Sequence, residues 1–348
     1  MKPGRRRLLI PGLLIALLIV VALAAAIRRA DAETTPLPVA PHVPVSVMSD
    51  PRITESSGLA ASKLHPGIAY TFNDSGDEAR IFAIDIASGA VVGVTTVKNA
   101  TWYDAEAMAL WGGKIWIGDV GSNRGIGEER ALYLFDEPGP GDHRVTADRY
   151  PIKLDGGEVE IEAMAVVPGR VYLFSKGWPQ GHTFLLTGKA SKSEPNVARL
   201  TQGTTPAWTT DATATADGRY VLIRGAVQVE VREVRTWKLV HVDVIPMLQQ
   251  GESIAMESSG TSYLIGSEGK DSPLVRLAFN PATFTSPPPS VDPQVQIEAQ
   301  HPVKSILWEH QAQVLRAAPY VLCGVIVLGA VWWLRRRRRR AKASPETT

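Results

Sequence analysis

Four acidic residues recur in one setting. Glu106 and Glu162 each open the tetrapeptide EAMA, Asp211 opens DATA and Glu252 opens ESIA. A fifth stretch, SGLA at Ser57–Ala60, carries Ser57 at that place and Glu55 two residues earlier. Residues two apart on an extended chain share a face. Glu55 can therefore replace the missing carboxylate, and Asp104 and Glu160 stand in the same relation to Glu106 and Glu162. Carboxylates converging on one axis repel, and a cation, a proton or water must relieve them. Hard oxygen donors suit Ca²⁺ or Mg²⁺, which makes Glu106, Glu162, Asp211 and Glu252 candidate metal ligands, with Ca²⁺ the cofactor expected. The same acids, bonded to backbone amides of the neighbouring repeat, would instead hold repeats together. Both readings stand at this level.

Two polar loops add donors. NDSGD at Asn73–Asp77 and GDVGSN at Gly118–Asn123 each follow a strand and mix Asp, Asn, Ser and Gly. Asp74, Asp119 and Asn123 are candidate ligands at the mouth of the same site. Loops of this composition also simply cap turns. Their spacing lacks the oxygen pattern of an EF-hand.

Other chemistry is thin. Gly251-Glu252-Ser253-Ile254-Ala255 lacks the last glycine of a nucleophile elbow and is better read as the fifth repeat. No H-E-x-x-H and no cysteine-based zinc spacing occurs. His65, His143, His182 and His241 are scattered and each suits a loop or the surface; His182, in the WPQGH stretch, could act as acid or base if its loop faces the channel. Trp102, Trp178 and Trp208 suit packing between repeats, or a rim on which a glycan stacks.

The acids need a frame. Their repeats start 49, 56, 49 and 41 residues apart, and each leads into a strand: AYTFND, KIWIGD, RVYLFS, YVLIRG and SYLIGS. Periods of this size with several strands per repeat predict an all-β propeller with five visible blades, and the length leaves room for a sixth. In the second repeat the strands expected are Glu106–Leu110, Lys114–Gly118, Ala131–Asp136 and Arg149–Leu154. Third strands recur at Arg80–Asp85, Thr183–Thr187, Val227–Val231 and Leu274–Phe279. These runs are rich in β-branched and aromatic residues and bounded by Gly, Asp and Pro. An open ring would expose strand edges, and Val43–Met48 is placed to supply the last outer strand beside the fifth repeat.

Charge and hydropathy set the surroundings. The chain has 348 residues and a formal net charge of +2, but the basic residues crowd the ends. Residues 33–316 hold 24 basic and 33 acidic side chains, a net of −9. An acidic body argues against a nucleic-acid partner. Leu8–Ile27 is an uncharged apolar run after Arg5, Arg6 and Arg7, with Ala30-Asp31-Ala32 placed as in an export cleavage site. Residues 1–32 therefore read as a signal peptide or an uncleaved anchor. Ala317–Leu334 reads as a transmembrane helix ending in Trp332 and Trp333, and the arginine run Arg335–Arg340 orients it. The expected organisation is a Pro-rich tether at 33–49, a propeller at 50–284, a linker and juxtamembrane segment at 285–316, a span at 317–334 and a cytoplasmic tail at 335–348. The sole cysteine, Cys323, lies in the span, so no disulfide staples the body.

The sequences NDSG, YDAEAMA and IWIGDVGSNR resemble a family of bacterial exported propellers related to the "esterase-like activity of phytase" group. The likeness covers roughly residues 53–125. It implies a five- or six-bladed ring with acids near the channel. Trp102-Tyr103-Asp104-Ala105-Glu106 carries the residue types of the family's Trp-Glu-Asp pattern at altered spacing.

The function expected is a module anchored in the cell membrane that binds an extracytoplasmic ligand or an envelope protein. A divalent-metal hydrolase of a phosphoester or lactone, working at the central channel, is the rival reading. A scaffold for another envelope protein is the third.

Overall fold

The computed structural model describes residues 38–74, 76–123 and 129–284. The expected signal segment, the linker after 284, the second span and the basic tail lie outside the described residues. Among the described residues no helix is long and apolar enough to cross a membrane. The described chain is all-β, with 21 strands and one 3₁₀ turn at Pro281–Thr283.

The strands follow one another in groups. β1 spans His42–Met48, and β2 to β5 span Ser56–Ala61, Ile68–Asn73, Arg80–Asp85 and Val91–Val97. β6, β7 and β8 span Ala105–Trp111, Lys114–Asp119 and Ala131–Asp136, with β9 at His143–Val145 and β10 at Asp148–Asp155. β11 to β14 span Ile161–Val167, Arg170–Ser175, Gly181–Thr187 and Asn196–Thr205. β15 to β18 span Asp211–Ala214, Tyr220–Arg224, Gln228–Glu233 and Leu239–Val244. β19, β20 and β21 span Gly251–Met256, Ser262–Ser267 and Ser272–Ala278.

They form four sheets. β2-β3-β4-β5 is extended by β9, which pairs parallel to β5. β15-β16-β17-β18 stands alone. β19-β20-β21 is completed by β1, from the other end of the described chain, with His42 opposite Leu277 and Met48 opposite Ser272. The remaining sheet has eight strands, because the outer strands β10 and β14 pair parallel through Ile152–Asp155 and Asn196–Arg199. The first strands adjoin in a cycle: β2 lies beside β6, β6 beside β11, β11 beside β15, β15 beside β19, and β19 beside β2.

Side-chain size explains this cycle. First strands are built of small residues, SSGLAA, AEAMALW and DATA among them, because they crowd one another. A Cβ on Gly58 would stand 2.6 Å from the Phe72 ring and 2.9 Å from Met108 Cβ. Second strands such as IAYTFN are buried along their whole length and carry apolar residues on both faces, as a strand covered on both sides does. Separate apolar clusters fill the gaps between neighbouring groups. One gathers Tyr70, Phe72, Trp102 and Tyr133, and another gathers Tyr172, Phe174 and Val221.

Candidate functional site

Three of the four recurring acids sit at a recurring irregularity. Ala105 pairs with Asp119 and Ala107 with Gly118, so Glu106 is an extra residue in β6. Glu162 in β11, Glu252 in β19 and Ser57 in β2 are skipped in the same way. A bulge breaks the alternation of the pleat and re-aims one side chain, which is why bulges gather beside functional sites. Four of the five sequence repeats thus carry a bulge, while Asp211 in β15 pairs in register with Arg224.

The loops that follow the second strands pin these bulges. Asn73 Oδ1 accepts the amides of Thr54 and Glu55 at 3.0 and 3.1 Å. Asp119 Oδ1 accepts those of Tyr103 and Asp104 at 3.3 and 2.8 Å. The two residues close equivalent strands and brace the chain just ahead of β2 and β6. Backbone bonds repeat the bracing, from Asp74 to the Glu55 carbonyl, Gly121 to Asp104, Lys176 to Glu160 and Glu268 to Gln250. Gly121 has no room for a side chain, since a Cβ there would lie 2.1 Å from Asp104 Oδ2.

This bracing brings Asp74, Asp104 and Glu106 together. One carboxylate oxygen from each lies within 4.8 Å of the others. Asp104 and Glu106 are buried and Asp74 is half-buried. Asp104 Oδ2 accepts the Asn123 amide at 2.6 Å, while Asp104 Oδ1 is buried with no hydrogen-bond partner among the described residues. Burial raises the Glu106 carboxyl far above the usual range, and the charges of Glu162, Asp74 and Asp104 push the same way. Three carboxylates and one bare buried oxygen fit a hard cation.

The neighbouring acids extend the site. Glu162 is buried and pairs with Lys176 at 3.1 Å. Burial raises the Glu162 carboxyl, and Lys176 opposes the rise. Burial works against the Lys176 ammonium, but Glu162, Glu252 and Glu160 outweigh it and hold it charged. Glu252 is raised to about 7, by burial above all and against the pull of Lys176. Arg224 is completely buried, and its Nη1 donates to the carbonyls of Ser253 at 2.6 Å and Gly266 at 2.5 Å. Burial lowers the Arg224 guanidinium to about 10.

The predicted residues divide. Glu106 and Asp74 meet, and Glu162 and Glu252 stand close enough to act on their charge. Asp211 does something else: its Oδ1 accepts the Ala212 amide at 2.7 Å and its Oδ2 accepts the Ile254 amide at 2.8 Å, which ties β15 to β19. That is the structural role weighed for the repeated acids. Asp119 braces backbone amides, and Asn123 reaches the site through its amide. Asp104 completes the group; its sequence signals are its place two residues before Glu106 and in the Trp102–Glu106 stretch. Lys176 and Arg224 carried no signal, being single cations at strand ends. Trp102 is buried between Phe72 and Tyr133 as packing, Trp178 is exposed, and His182 is exposed on β13. His241 pairs with Asp243 at 3.0 Å and stacks on Phe284. No protein-family model and no curated protein sequence matches this chain.

Proposed function

We propose that this chain is a five-bladed β-propeller, anchored at the cell membrane and facing outward, that binds a divalent cation at one end of its axis. Through that cation it engages an anionic ligand or envelope partner. The five groups of strands, the cyclic contact of β2, β6, β11, β15 and β19, and β1 completing the last sheet support the ring. The membrane placement rests on the apolar runs Leu8–Ile27 and Ala317–Leu334.

One observation carries the cation reading. Asp74, Asp104 and Glu106 converge within 4.8 Å, and Asp104 offers a buried oxygen with no hydrogen-bond partner among the described residues. A Ca²⁺ ion would take all three carboxylates and leave positions for the ligand. The test is thermal unfolding of the full chain with calcium, magnesium or excess chelator. A calcium-dependent rise in midpoint that Glu106→Gln abolishes supports native-state binding. An unchanged midpoint with every divalent ion sinks the reading.

A second reading, a metal-dependent hydrolase of a phosphoester or lactone, is favoured by Glu252. A carboxyl raised to about 7 is matched to proton transfer at neutral pH. The cation would supply polarisation of the substrate oxygen. Glu252 would accept the proton of the attacking water, and Lys176 would steady the negative charge. Turnover of a phosphoester or lactone that Glu252→Gln removes, with calcium binding retained, would favour this reading over simple binding.

A further inference from the structure

The parallel pairing of β10 with β14 has a second product. These strands join the two groups on the outside, while β6 and β11 adjoin on the inside, so eight strands wrap around the space between. Met164, Leu173 and Phe184 fill one part of that space. Towards the ends of β6, β11 and β13 the walls part, and a cavity of about 500 Å³ opens. Small-molecule sites span roughly 300–1,000 Å³ and are mostly apolar with a few polar groups.

The lining is asymmetric. Trp111, Trp116, Leu134, Tyr150, Val171 and Leu186 make apolar and aromatic walls. The charged residues on the cavity are Arg170, Lys189 and Arg199, all exposed at its rim, and no acid lines it. This is the reverse of the body as a whole, where residues 33–316 carry a net charge of −9. The rim cations are weakly engaged. Arg199 lies 4.0 Å from Asp155, Arg170 reaches only the Tyr172 hydroxyl at 3.4 Å, and Lys189 makes no ion pair among the described residues.

The cavity is distinct from the acidic site. Glu162 lies at the start of β11, and Val166 and Val167 at its end line the cavity. A strand of seven residues is about 20 Å long.

We infer that this cavity binds a single-chain anionic amphiphile, with its apolar tail against Trp111, Trp116 and Leu134 and its head group held by Arg170, Lys189 and Arg199. Guanidinium groups take carboxylates and phosphates in the same bidentate fashion, so either head group meets the same chemistry.

The test is calorimetric titration of the full chain in zwitterionic nanodiscs, with empty nanodiscs as reference. The probes share one tail: decanoate, decyl phosphate, decanol and decyltrimethylammonium. Saturable binding of decanoate or decyl phosphate, at least tenfold tighter than decanol and absent for the cation, is expected. Decanoate preferred over decyl phosphate points to a fatty-acid source, and the converse points to a lipid phosphate. Arg170→Glu with Arg199→Glu should weaken binding at least tenfold without moving the unfolding midpoint. Ala190→Trp, on the exposed rim, should block entry. Equal binding of decanol or of the cation, no effect of charge reversal, or no saturable heat above empty nanodiscs would overturn the inference.

Discussion

Lys176 Nζ stands 3.1 Å from Glu162 Oε2, and this pair is the one ion pair found at the centre of the acidic site among the described residues. Breaking a buried pair from one side leaves a stranded charge, at a cost of about 3 kcal/mol. Lys176→Met should therefore lower stability by about that amount in urea unfolding. Replacing both residues, Glu162→Met with Lys176→Met, should recover most of the loss. A Lys176→Met protein as stable as the parent would mean that solvent already screens Glu162.

Glu252 gives the site a pH signature. Its carboxyl moves from 4.5 to about 7 on folding, so between those values the folded state holds the proton more tightly than the unfolded chain. Stability is then fullest below pH 4.5 and is lost as pH rises towards 7. Glu252 as a whole residue is half-buried, and solvent screening limits the effect to on the order of 2 kcal/mol. Urea midpoints at pH 5, 6, 7 and 8 in chelator should fall across the series, and Glu252→Gln should make the fall shallower, the raised carboxyls of Glu106 and Glu162 accounting for what remains. A flat series in the parent would show that Glu252 ionises as it does in the unfolded chain.

Asp211 separates strand tying from metal binding. Its two oxygens hold the amides of Ala212 and Ile254 in a fully buried position. Burial pushes the Asp211 carboxyl well above its ordinary range, and each buried amide left without its acceptor costs about 1–3 kcal/mol. Asp211→Ala should cost about 3 kcal/mol or more, while any calcium-dependent shift in midpoint, as the proposed cation site requires, should keep its size. Loss of the shift with little loss of stability would move Asp211 into the cation site.

Gly121 tests the bracing of the acidic group. A methyl group there would collide with Asp104 Oδ2 at 2.1 Å and would push that carboxylate away from Asp74 and Glu106. Gly121→Ala should abolish the calcium-dependent shift at least as fully as Glu106→Gln does. An undiminished shift in Gly121→Ala would remove Asp104 from the ligand set.

Strand identity was legible because each run alternates or saturates with β-branched and aromatic residues between Gly, Asp and Pro. Ala131–Asp136 and Arg80–Asp85 fall where expected, and Val43–Met48 lies within β1, paired with β21. Ends drifted where polar residues continue a ladder, so that the expected Thr183–Thr187 starts at Gly181 and the expected Leu274–Phe279 runs Ser272–Ala278. The acids were legible as a repeat, but the bulge that aims them was not, because a bulge changes pairing and leaves composition alone. Asp211 shares the repeat yet spends both oxygens on amides, which no spacing can foretell. The β10–β14 junction was equally hidden, since a strand's sequence does not name a parallel partner some 45 residues away, such as Asn196 for Ile152.

The pairing of His42 with Leu277 has a bearing on biogenesis. The strand made first must wait, with a free edge, until more than two hundred residues have followed it and its partner has formed. Contacts so distant in sequence are slow to form, and an unpaired edge invites association with other chains meanwhile. A polypeptide shortened before β21 would keep most of its repeats and still lack the partner for its opening strand. Such a product should be recognised by its stickiness sooner than by its loss of secondary structure.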